Sequence, residues 1–208
     1  MRYLLNNPLT ILNLTLQHLE LTLGALLIAA LIGLPLGWLL FHRRKLVGPI
    51  LGVLGVLYTI PSIALIIFLI PLFGLNARSV IAALVLYCQV ILVRNVLAGL
   101  DSIDPAVLEA ARGVGMNFWQ ISFRIQAPLA LPVVLAGARI AAVVSVAIAA
   151  VGAKFGAGGL GTLLFDGIAQ AGRTDKIVIG AALLGLLALG VNGLLLALER
   201  SLSRWRAA

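Results

Sequence analysis

Charged residues are scarce in this chain of 208 residues. They make up 11% of the sequence, whereas about 25% is usual in a soluble domain. Hydrophobic residues reach 62%, which leaves too little polar surface to coat a water-soluble globule. The composition therefore excludes a separate soluble domain and predicts one integral membrane domain over residues 1–208.

Residues that carry out chemistry are nearly absent. The single cysteine, Cys88, excludes an internal disulfide and a cysteine metal cluster. The two histidines, His18 and His42, flank the first apolar run on opposite sides, so they form neither a metal pair nor part of a Ser-His-Asp set. No G-x-x-x-x-G-K-[ST] phosphate loop occurs. We therefore expect no catalytic residue, no metal and no cofactor bound by this chain, and predict that it is not an enzyme.

Acidic residues are missing from every long apolar run. A proton-driven carrier normally holds ionisable groups within its spans, so the energy for uphill transport would have to come from a partner. Arg139 is a basic exception, and a charge at the bilayer centre costs at least ~2.5 kcal/mol. We expect its side chain to reach the cytoplasmic interface or to form an ion pair rather than to contact a substrate.

Five apolar runs are long enough to cross a bilayer, whose ~30 Å core needs about 20 helical residues. The runs are continuous rather than alternating, which favours helices over the strands of a barrel. Residues 1–20 mix leucine with polar residues and are predicted to lie at the outer interface. The predicted spans are residues 21–41, 47–73, 80–100, 129–151 and 177–198.

The net charge of +8 is placed beside the spans, which argues against nucleic acid as a partner. By the positive-inside rule, the basic segments that follow the first span, surround the third-to-fourth connection and close the chain are cytoplasmic. An odd number of spans then places the N-terminus outside and the C-terminus in the cytoplasm. The basic residues in question are Arg43, Arg44, Lys45, Arg94, Arg112, Arg124, Arg200, Arg204 and Arg206.

Polar residues accompany a proline in the middle of the second run. Pro61 removes a helix donor, so we expect the helix to kink or break there. Broken backbone at membrane depth must face protein or a water-filled cavity. A packing kink and a solute pathway are both compatible with this pattern. The candidate pathway residues are Tyr58, Thr59, Pro61 and Ser62 of this run, together with Tyr87 and Gln89, which are polar residues within the third run.

The stretch from Phe155 to Gly161 contains the letters G-x-G-x-x-G of the dinucleotide fingerprint. That fingerprint requires a preceding strand in a soluble βαβ unit, whereas a membrane helix precedes this stretch. A close-packed glycine turn at the outer mouth is therefore the better interpretation.

A polar island separates the third and fourth runs at residues 104–116. Asp104 is a good N-cap, Pro105 is a good first helical residue, and glycines follow at 113 and 115. These features predict a short amphipathic helix with Val107, Ala110, Ala111 and Val114 on one face. Such a short helix is unstable alone, so it needs lipid headgroups or a protein groove.

The island carries a motif. Glu109-Ala110-Ala111 is followed after three residues by Gly115 and after nine more by Ile125-Gln126-Ala127-Pro128. This resembles the E-A-A-x3-G-x9-I-x-L-P loop of ABC importer permeases, with Ala127 in place of the usual leucine. Residues 58–65 and 156–161 resemble the osmoprotectant branch of that family, which imports glycine betaine, choline and carnitine. Tyr58 stands where that branch has glutamine, and the resemblance covers most of residues 15–200.

The resemblance implies an all-α integral membrane protein with the type I ABC importer permease fold, with about five transmembrane helices and a short cytoplasmic coupling helix. It implies a bacterial or archaeal cytoplasmic (inner) membrane and a second permease subunit, in a homodimer or a heterodimer. It also implies separate ATPase subunits that use ATP and Mg, and an external substrate-binding protein. The residues implied to couple to the ATPase are Glu109, Ala110, Ala111, Arg112, Gly113, Gly115 and Met116. Those implied to shape the outer gate or contact the binding protein are Phe155, Gly156, Gly158, Gly159 and Gly161.

Three alternatives remain open on the sequence alone. The solute could be another small molecule, such as an amino acid, carried by the same kind of importer. A stand-alone channel or secondary carrier would move solute without ATP, although the apolar runs lack the acids it would need. A structural scaffold subunit gives no reason for a broken second helix.

Overall fold

Helix dominates the residues that the structure describes, 3, 6–170 and 173–202, in a computed structural model of the chain. A π-helical segment covers Ile121–Gln126, and a 3-10 turn covers Ala153–Phe155. The α-helices within the described residues are α1 (Pro8–His42), α2 (Val47–Thr59), α3 (Ser62–Phe73), α4 (Ala77–Asp101), α5 (Pro105–Gly113), α6 (Phe118–Gln120), α7 (Ala127–Gly152), α8 (Gly161–Ala169) and α9 (Thr174–Leu202).

The predicted all-α fold with about five spans is confirmed. Four helical segments are long and apolar enough to cross a membrane, namely α1, α4, the rod Phe118–Phe155 and α9. The bent pair α2–α3 makes a fifth if it is counted as one span.

The first span differs from its predicted limits. Residues 8–20, expected at the outer interface, belong to the same unbroken helix as the span, while residues 1, 2, 4 and 5 lie outside the described part. At about 1.5 Å per residue the 35 residues of α1 extend about 52 Å, well beyond the ~30 Å apolar core. The helix is thus long enough to hold both the predicted span, residues 21–41, and part of the segment predicted to lie at the outer interface.

The predicted break at Pro61 is confirmed. The chain bends by 100° between α2 and α3, because proline has no N–H to continue the helix and Ile60 adopts an extended conformation. The hydroxyl of Tyr87 in α4 donates to the carbonyl of Ile60, an acceptor that the break leaves free. The bend is thus held from the neighbouring helix.

Helix α4 lies at the centre of the bundle, with α1 and α7 packed closely against it. A Cβ added at Gly37 of α1 would lie 2.6 Å from Cβ of Val96, and one added at Gly137 of α7 would lie 2.4 Å from Cβ of Asn95. Small residues of this kind let membrane helices approach until their backbones nearly touch.

Helix α9 packs on α7 and α8, and most of its apolar residues are not buried within the bundle. Arg139 of α7 contacts Glu199 of α9, with Nη1 3.2 Å from Oε2. One of the two outcomes expected for Arg139, an ion pair, is therefore observed, and the partner comes from the last described helix.

Candidate functional site

The short helix α5 begins at a side-chain cap. Oδ1 of Asp104 accepts a hydrogen bond from the backbone N–H of Ala106 at 2.9 Å, and Pro105 occupies the first helical position. A helix start leaves its first backbone N–H groups unpaired. Asp104 accepts a hydrogen bond from one of them, and Pro105 has no N–H to leave unpaired. The helix predicted over 104–116 is observed as Pro105–Gly113.

The same helix ends in a left-handed residue. Gly115 has φ +83°, and its N–H donates to the carbonyl of Arg112 at 2.9 Å. The N–H of Met116 donates to the carbonyl of Ala111 at 3.1 Å. This pair of bonds is the Schellman arrangement, which turns the chain sharply and favours glycine at the left-handed position. The short helix is thus closed at both ends.

The apolar face of α5 is divided between the bundle and the exterior. Ala111 is buried, and Leu108 packs on a cluster formed by Val96, Leu100, Ile103 and Ala130. Val107, Ala110 and Val114 stay exposed, Val114 to 79%. The face predicted to be apolar is therefore only partly packed on the bundle. Leu108 makes the contact with the bundle, although the sequence pattern did not single it out.

The polar residues of α5 are exposed as well. Glu109 and Arg112 point away from the bundle beside the uncovered apolar residues. Together with Val107, Ala110 and Val114, they form a surface that we call the α5 outer face. An exposed apolar strip flanked by one acid and one base is suited to a groove on another protein.

An ion pair fixes the end of the bundle that carries α5. Arg44, in the turn between α1 and α2, donates two hydrogen bonds to Asp101 at the end of α4, at 2.5 and 3.3 Å. The hydrogen bond to Asp101 raises the pKa of the Arg44 guanidinium. The basic segment at residues 43–45 and α5 therefore lie at the same end of the bundle.

The second half of the motif returns to α5. Asn117 and Gln120 form a reciprocal capping box, with bonds of 2.9 and 2.8 Å, which starts the next helical rod. Ile125 and Pro128 line a depression of about 430 Å³ together with Val107 of α5. The second half of the motif thus lies beside α5, the helix that carries the first half.

The predicted pathway residues only partly assemble. The rings of Tyr58 and Tyr87 meet edge to face at 5.5 Å beside the Pro61 break, next to Thr59 and Ser62. Gln89 does not join them. Its Nε2 donates to the carbonyls of Ala29 and Val85, both at 3.2 Å, so its side chain lies between α4 and α1.

The glycine-rich stretch at the other end of the bundle is a tight turn, as expected. Gly156, Gly158 and Gly159 all have positive φ, and Phe155 packs on the bundle core. The N–H of Gly159 donates to Oε1 of Gln17 at 3.1 Å. A Cβ on Gly161 would lie 2.0 Å from the carbonyl oxygen of Ala150.

His18 is more deeply buried than its position in the sequence predicts. Its position near the expected membrane surface favoured an interfacial polar side chain. In the structure it is fully buried, with Nε2 3.1 Å from the carbonyl oxygen of Val146. Because α1 runs unbroken through this region, the ring faces α7 rather than the exterior.

Chemistry of its own is not evident in the described residues. No group of three or more His, Cys, Asp or Glu side chains lies close enough to hold a metal ion in that part of the chain. The candidate site consists of the α5 outer face, the residues beside the Pro61 break and the glycine turn.

Comparison with known proteins agrees with this geometry. A family model described as "Binding-protein-dependent transport system inner membrane component" matches residues 23–204. The osmoprotectant import permease protein OsmW of Salmonella typhimurium is 41% identical over 93% of this chain and 92% of its own length. The choline transport system permease protein OpuBD of Bacillus subtilis is 37% identical over 90% of this chain and 83% of its own.

A third relative and a solved structure complete the comparison. The carnitine transport permease protein OpuCB of Listeria monocytogenes is 36% identical over 91% of this chain and 86% of its own. A structure of the MetNI methionine ABC transporter in an inward-facing conformation superposes with a TM-score of 0.85. It covers 94% of this chain and 98% of the matched chain at 23% identity, so it supports the fold alone.

Proposed function

The chain belongs to the family of binding-protein-dependent transport system inner membrane components, and we propose that it imports a quaternary-ammonium osmoprotectant such as glycine betaine, choline or carnitine. It is the membrane-spanning permease subunit of an ABC importer. The proposed solute class rests on the relatives named for osmoprotectant, choline and carnitine transport, each of which matches at least nine-tenths of this chain.

The α5 outer face carries the proposed link to an energy source. In this proposal, the face docks in a groove of a cytoplasmic ATPase subunit, and that partner alone binds ATP and Mg. Glu109 makes the polar contact, while Ala110 permits close approach. Ala111 keeps α5 flat on its own bundle, Gly113 is its last helical residue, and Gly115 and Met116 form the sharp exit. The supporting observation is a doubly capped helix that leaves apolar residues uncovered at one end of the bundle.

Two permease subunits would surround the pathway, as a homodimer or with a similar second subunit. ATP binding would draw the two α5 helices together and switch the pathway from inward-facing to outward-facing. Under the positive-inside rule the α5 end is cytoplasmic, since it carries residues 43–45 and Arg112. The N-terminus is then external and the C-terminus cytoplasmic.

The opposite end would receive solute from an external binding protein. The glycine turn from Phe155 to Gly161 is proposed as the outer gate or the contact surface, because it lies at the end of the bundle opposite α5 and is built on three left-handed glycines. Below it, Tyr58 and Tyr87 beside the Pro61 break are proposed to border the pathway, with Thr59 and Ser62. Aromatic faces attract quaternary ammonium groups, which fits the proposed solute class.

A charge reversal tests the docking role. Glu109→Lys is expected to abolish both uptake and co-purification of the ATPase, while the purified chain keeps its helical content and thermal transition. Glu20→Lys is the matched control. Glu20 is also an exposed acid, but it lies in the first half of α1, toward the end of the bundle opposite α5. Normal uptake with normal ATPase association in Glu109→Lys would contradict the proposal.

The solute is tested in liposomes that contain the complete importer. ATP-dependent uptake of labelled glycine betaine, choline or carnitine is expected, and it should require the binding protein. Uptake of an amino acid with none of these three would assign the chain to another solute. Flux through the chain alone without ATP would indicate a channel or secondary carrier instead.

A further inference from the structure

A cleft of about 450 Å³ lies between α1, α4 and the rod that follows α5. Its volume falls within the about 300–1,000 Å³ usual for small-molecule sites. The walls are almost entirely apolar side chains, and the largest are Trp38, Trp119 and Phe123. Trp119 and Phe123 are 59% and 68% exposed, so the aromatic wall is not covered by the chain itself.

The aromatic wall resembles a membrane-interface belt. The ring of Trp119 stacks on Trp38 at 6.1 Å and on Phe123 at 5.8 Å, each pair within 12° of parallel. Tryptophan is enriched where the hydrocarbon region meets the headgroups. Such a wall is typical of the depth where lipid chains join their glycerol esters.

One polar atom in the cleft lacks a partner. Ser122 lines the cleft and is buried, and its Oγ makes no hydrogen bond with any described residue. A buried hydroxyl without a partner is costly, and a ligand that supplies an acceptor removes that cost. An ester carbonyl is such an acceptor.

Positive charge follows the aromatic wall along α1. Arg43 and Lys45 are exposed just beyond the end of that helix, about one to two turns past Trp38. Their neighbour Arg44 is engaged by Asp101, but no ion pair involves Arg43 or Lys45 within the described part of the chain. These two residues, which we call the basic rim, follow the α1 wall of the cleft along the chain, and their positive charge is suited to an anionic group.

We propose that the cleft binds one acidic phospholipid from the leaflet on the α5 side. One acyl chain lies along the apolar wall, an ester carbonyl accepts from the Ser122 hydroxyl, and the phosphate lies near Arg43 and Lys45. Basic sites between membrane helices bind acidic headgroups for the same reason. A second copy of this chain fits less well, because a two-fold contact centred on the cleft would bring two identical basic rims together.

The site has a consequence for coupling. The wall that holds Ser122 is the π-helical segment Ile121–Gln126, which follows α5 after one short helix. Single π-helical turns are frequent at functional sites because they loosen the regular bonding of a helix. A bound lipid would brace this segment and hold α5 at a fixed height above the bundle.

Tryptophan quenching by brominated lipid tests the proposal directly. The experiment uses the full chain with the substitution Trp205→Phe. The two tryptophans that remain, Trp38 and Trp119, both line the cleft and report by their fluorescence. It is placed in phosphatidylcholine nanodiscs with rising fractions of acyl-brominated phosphatidylglycerol. We expect saturable quenching at low mole fraction, whereas brominated phosphatidylcholine should quench only gradually.

Matched variants locate the bound lipid. Val134→Phe, which fills the cleft, should remove the saturable component, whereas Val178→Phe on α9 should not. Ser122→Ala should raise the mole fraction of lipid at half-saturation about three- to tenfold, whereas Ser145→Ala in α7, outside the cleft, should leave it unchanged. Arg43→Gln should weaken it too, with Arg78→Gln as the control.

Three outcomes would overturn the proposal. Equal quenching by both brominated lipids would indicate ordinary surrounding lipid. Saturable quenching that survives Val134→Phe, Ser122→Ala and Arg43→Gln would place the lipid elsewhere. No quenching by either lipid would mean that protein, such as a second copy, covers the cleft.

Discussion

Nε2 of His18 lies 3.1 Å from the carbonyl oxygen of Val146 and joins α1 to α7 inside the bundle. Since a carbonyl only accepts, Nε2 carries the hydrogen, and in the neutral ring Nδ1 is then the nitrogen without one. Nδ1 has no hydrogen-bond partner within the described residues and faces Gly159, where an added Cβ would lie 2.8 Å away. The imidazole therefore connects α1 to α7 and also packs against Gly159 of the glycine turn.

Replacement of His18 tests this connection. His18→Leu removes the donor at similar volume and should lower the free energy of unfolding by about 1 kcal/mol. Asn13→Leu, an exposed change on the same helix, should have little effect, and His18→Gln should recover part of the loss. Unfolding in detergent measures all three, and an unchanged transition for His18→Leu would contradict the interpretation.

The tight contact at Gly161 makes a second prediction. Because a Cβ there would lie 2.0 Å from a backbone oxygen of α7, Gly161→Ala must push α8 away from α7. We expect a loss of about 1–3 kcal/mol in the free energy of unfolding. Gly185→Ala in α9 is the control, since nothing lies within 4 Å of its added Cβ. Equal stability of the two variants would show that the turn relaxes freely.

Left-handed backbone at Gly115 gives a prediction for coupling. Gly115→Ala has open space around it but forces a side chain into a conformation that costs about 1–2 kcal/mol. Gly113→Ala also has open space, but its backbone is helical, so it should be neutral or slightly stabilising. ATPase co-purification should fall for Gly115→Ala only. A loss in both variants would point to crowding rather than to backbone strain.

The features predicted correctly from sequence depend on local chemistry. Pro61 breaks its helix because it lacks an N–H, and Asp104-Pro105 begins α5 because these residues satisfy or avoid free donors. Such effects involve neighbours along the chain. They can be read without knowing which helices pack together.

The features that sequence missed depend on helix packing. Gln89 was grouped with Tyr87 because both are polar residues of one helix, but two positions on a helix turn the side chain by about 200°. That rotation places Gln89 against α1. The burial of His18 depends likewise on α7, which lies more than a hundred residues away in sequence. No local pattern encodes these contacts.

The N-cap of α5 makes a prediction that separates geometry from charge. Asp104→Ala removes the acceptor for the Ala106 N–H and should destabilise α5 by about 1 kcal/mol. A nine-residue helix has little stability of its own, so ATPase affinity should fall. Asp104→Asn keeps the acceptor without the charge and should restore most of the affinity. If Asp104→Asn did not restore ATPase affinity, the ATPase would contact the charged carboxylate of Asp104 directly.

The pair Arg139–Glu199 offers a test by double-mutant cycle. Its side chains are 25% and 22% exposed, whereas those of Arg44 and Asp101 are 54% and 49% exposed. Less water around the inner pair strengthens its attraction, so the cycle of Arg139→Gln and Glu199→Gln should give a coupling of about 1–3 kcal/mol. The corresponding cycle at the outer pair should give about 0.2–1 kcal/mol and vanish at high salt.

Unfolding free energies in mixed micelles measure both cycles under the same conditions. Oε2 of Glu199 makes no well-aligned hydrogen bond with the described residues, so the inner coupling is chiefly Coulombic and should tolerate Arg139→Lys. If the effects of Arg139→Gln and Glu199→Gln on the free energy of unfolding were additive, the Arg139 charge would be stabilised by the membrane interface instead of by Glu199 of α9. In that case removal of Glu199 would leave the end of α9 no more mobile in hydrogen exchange than before.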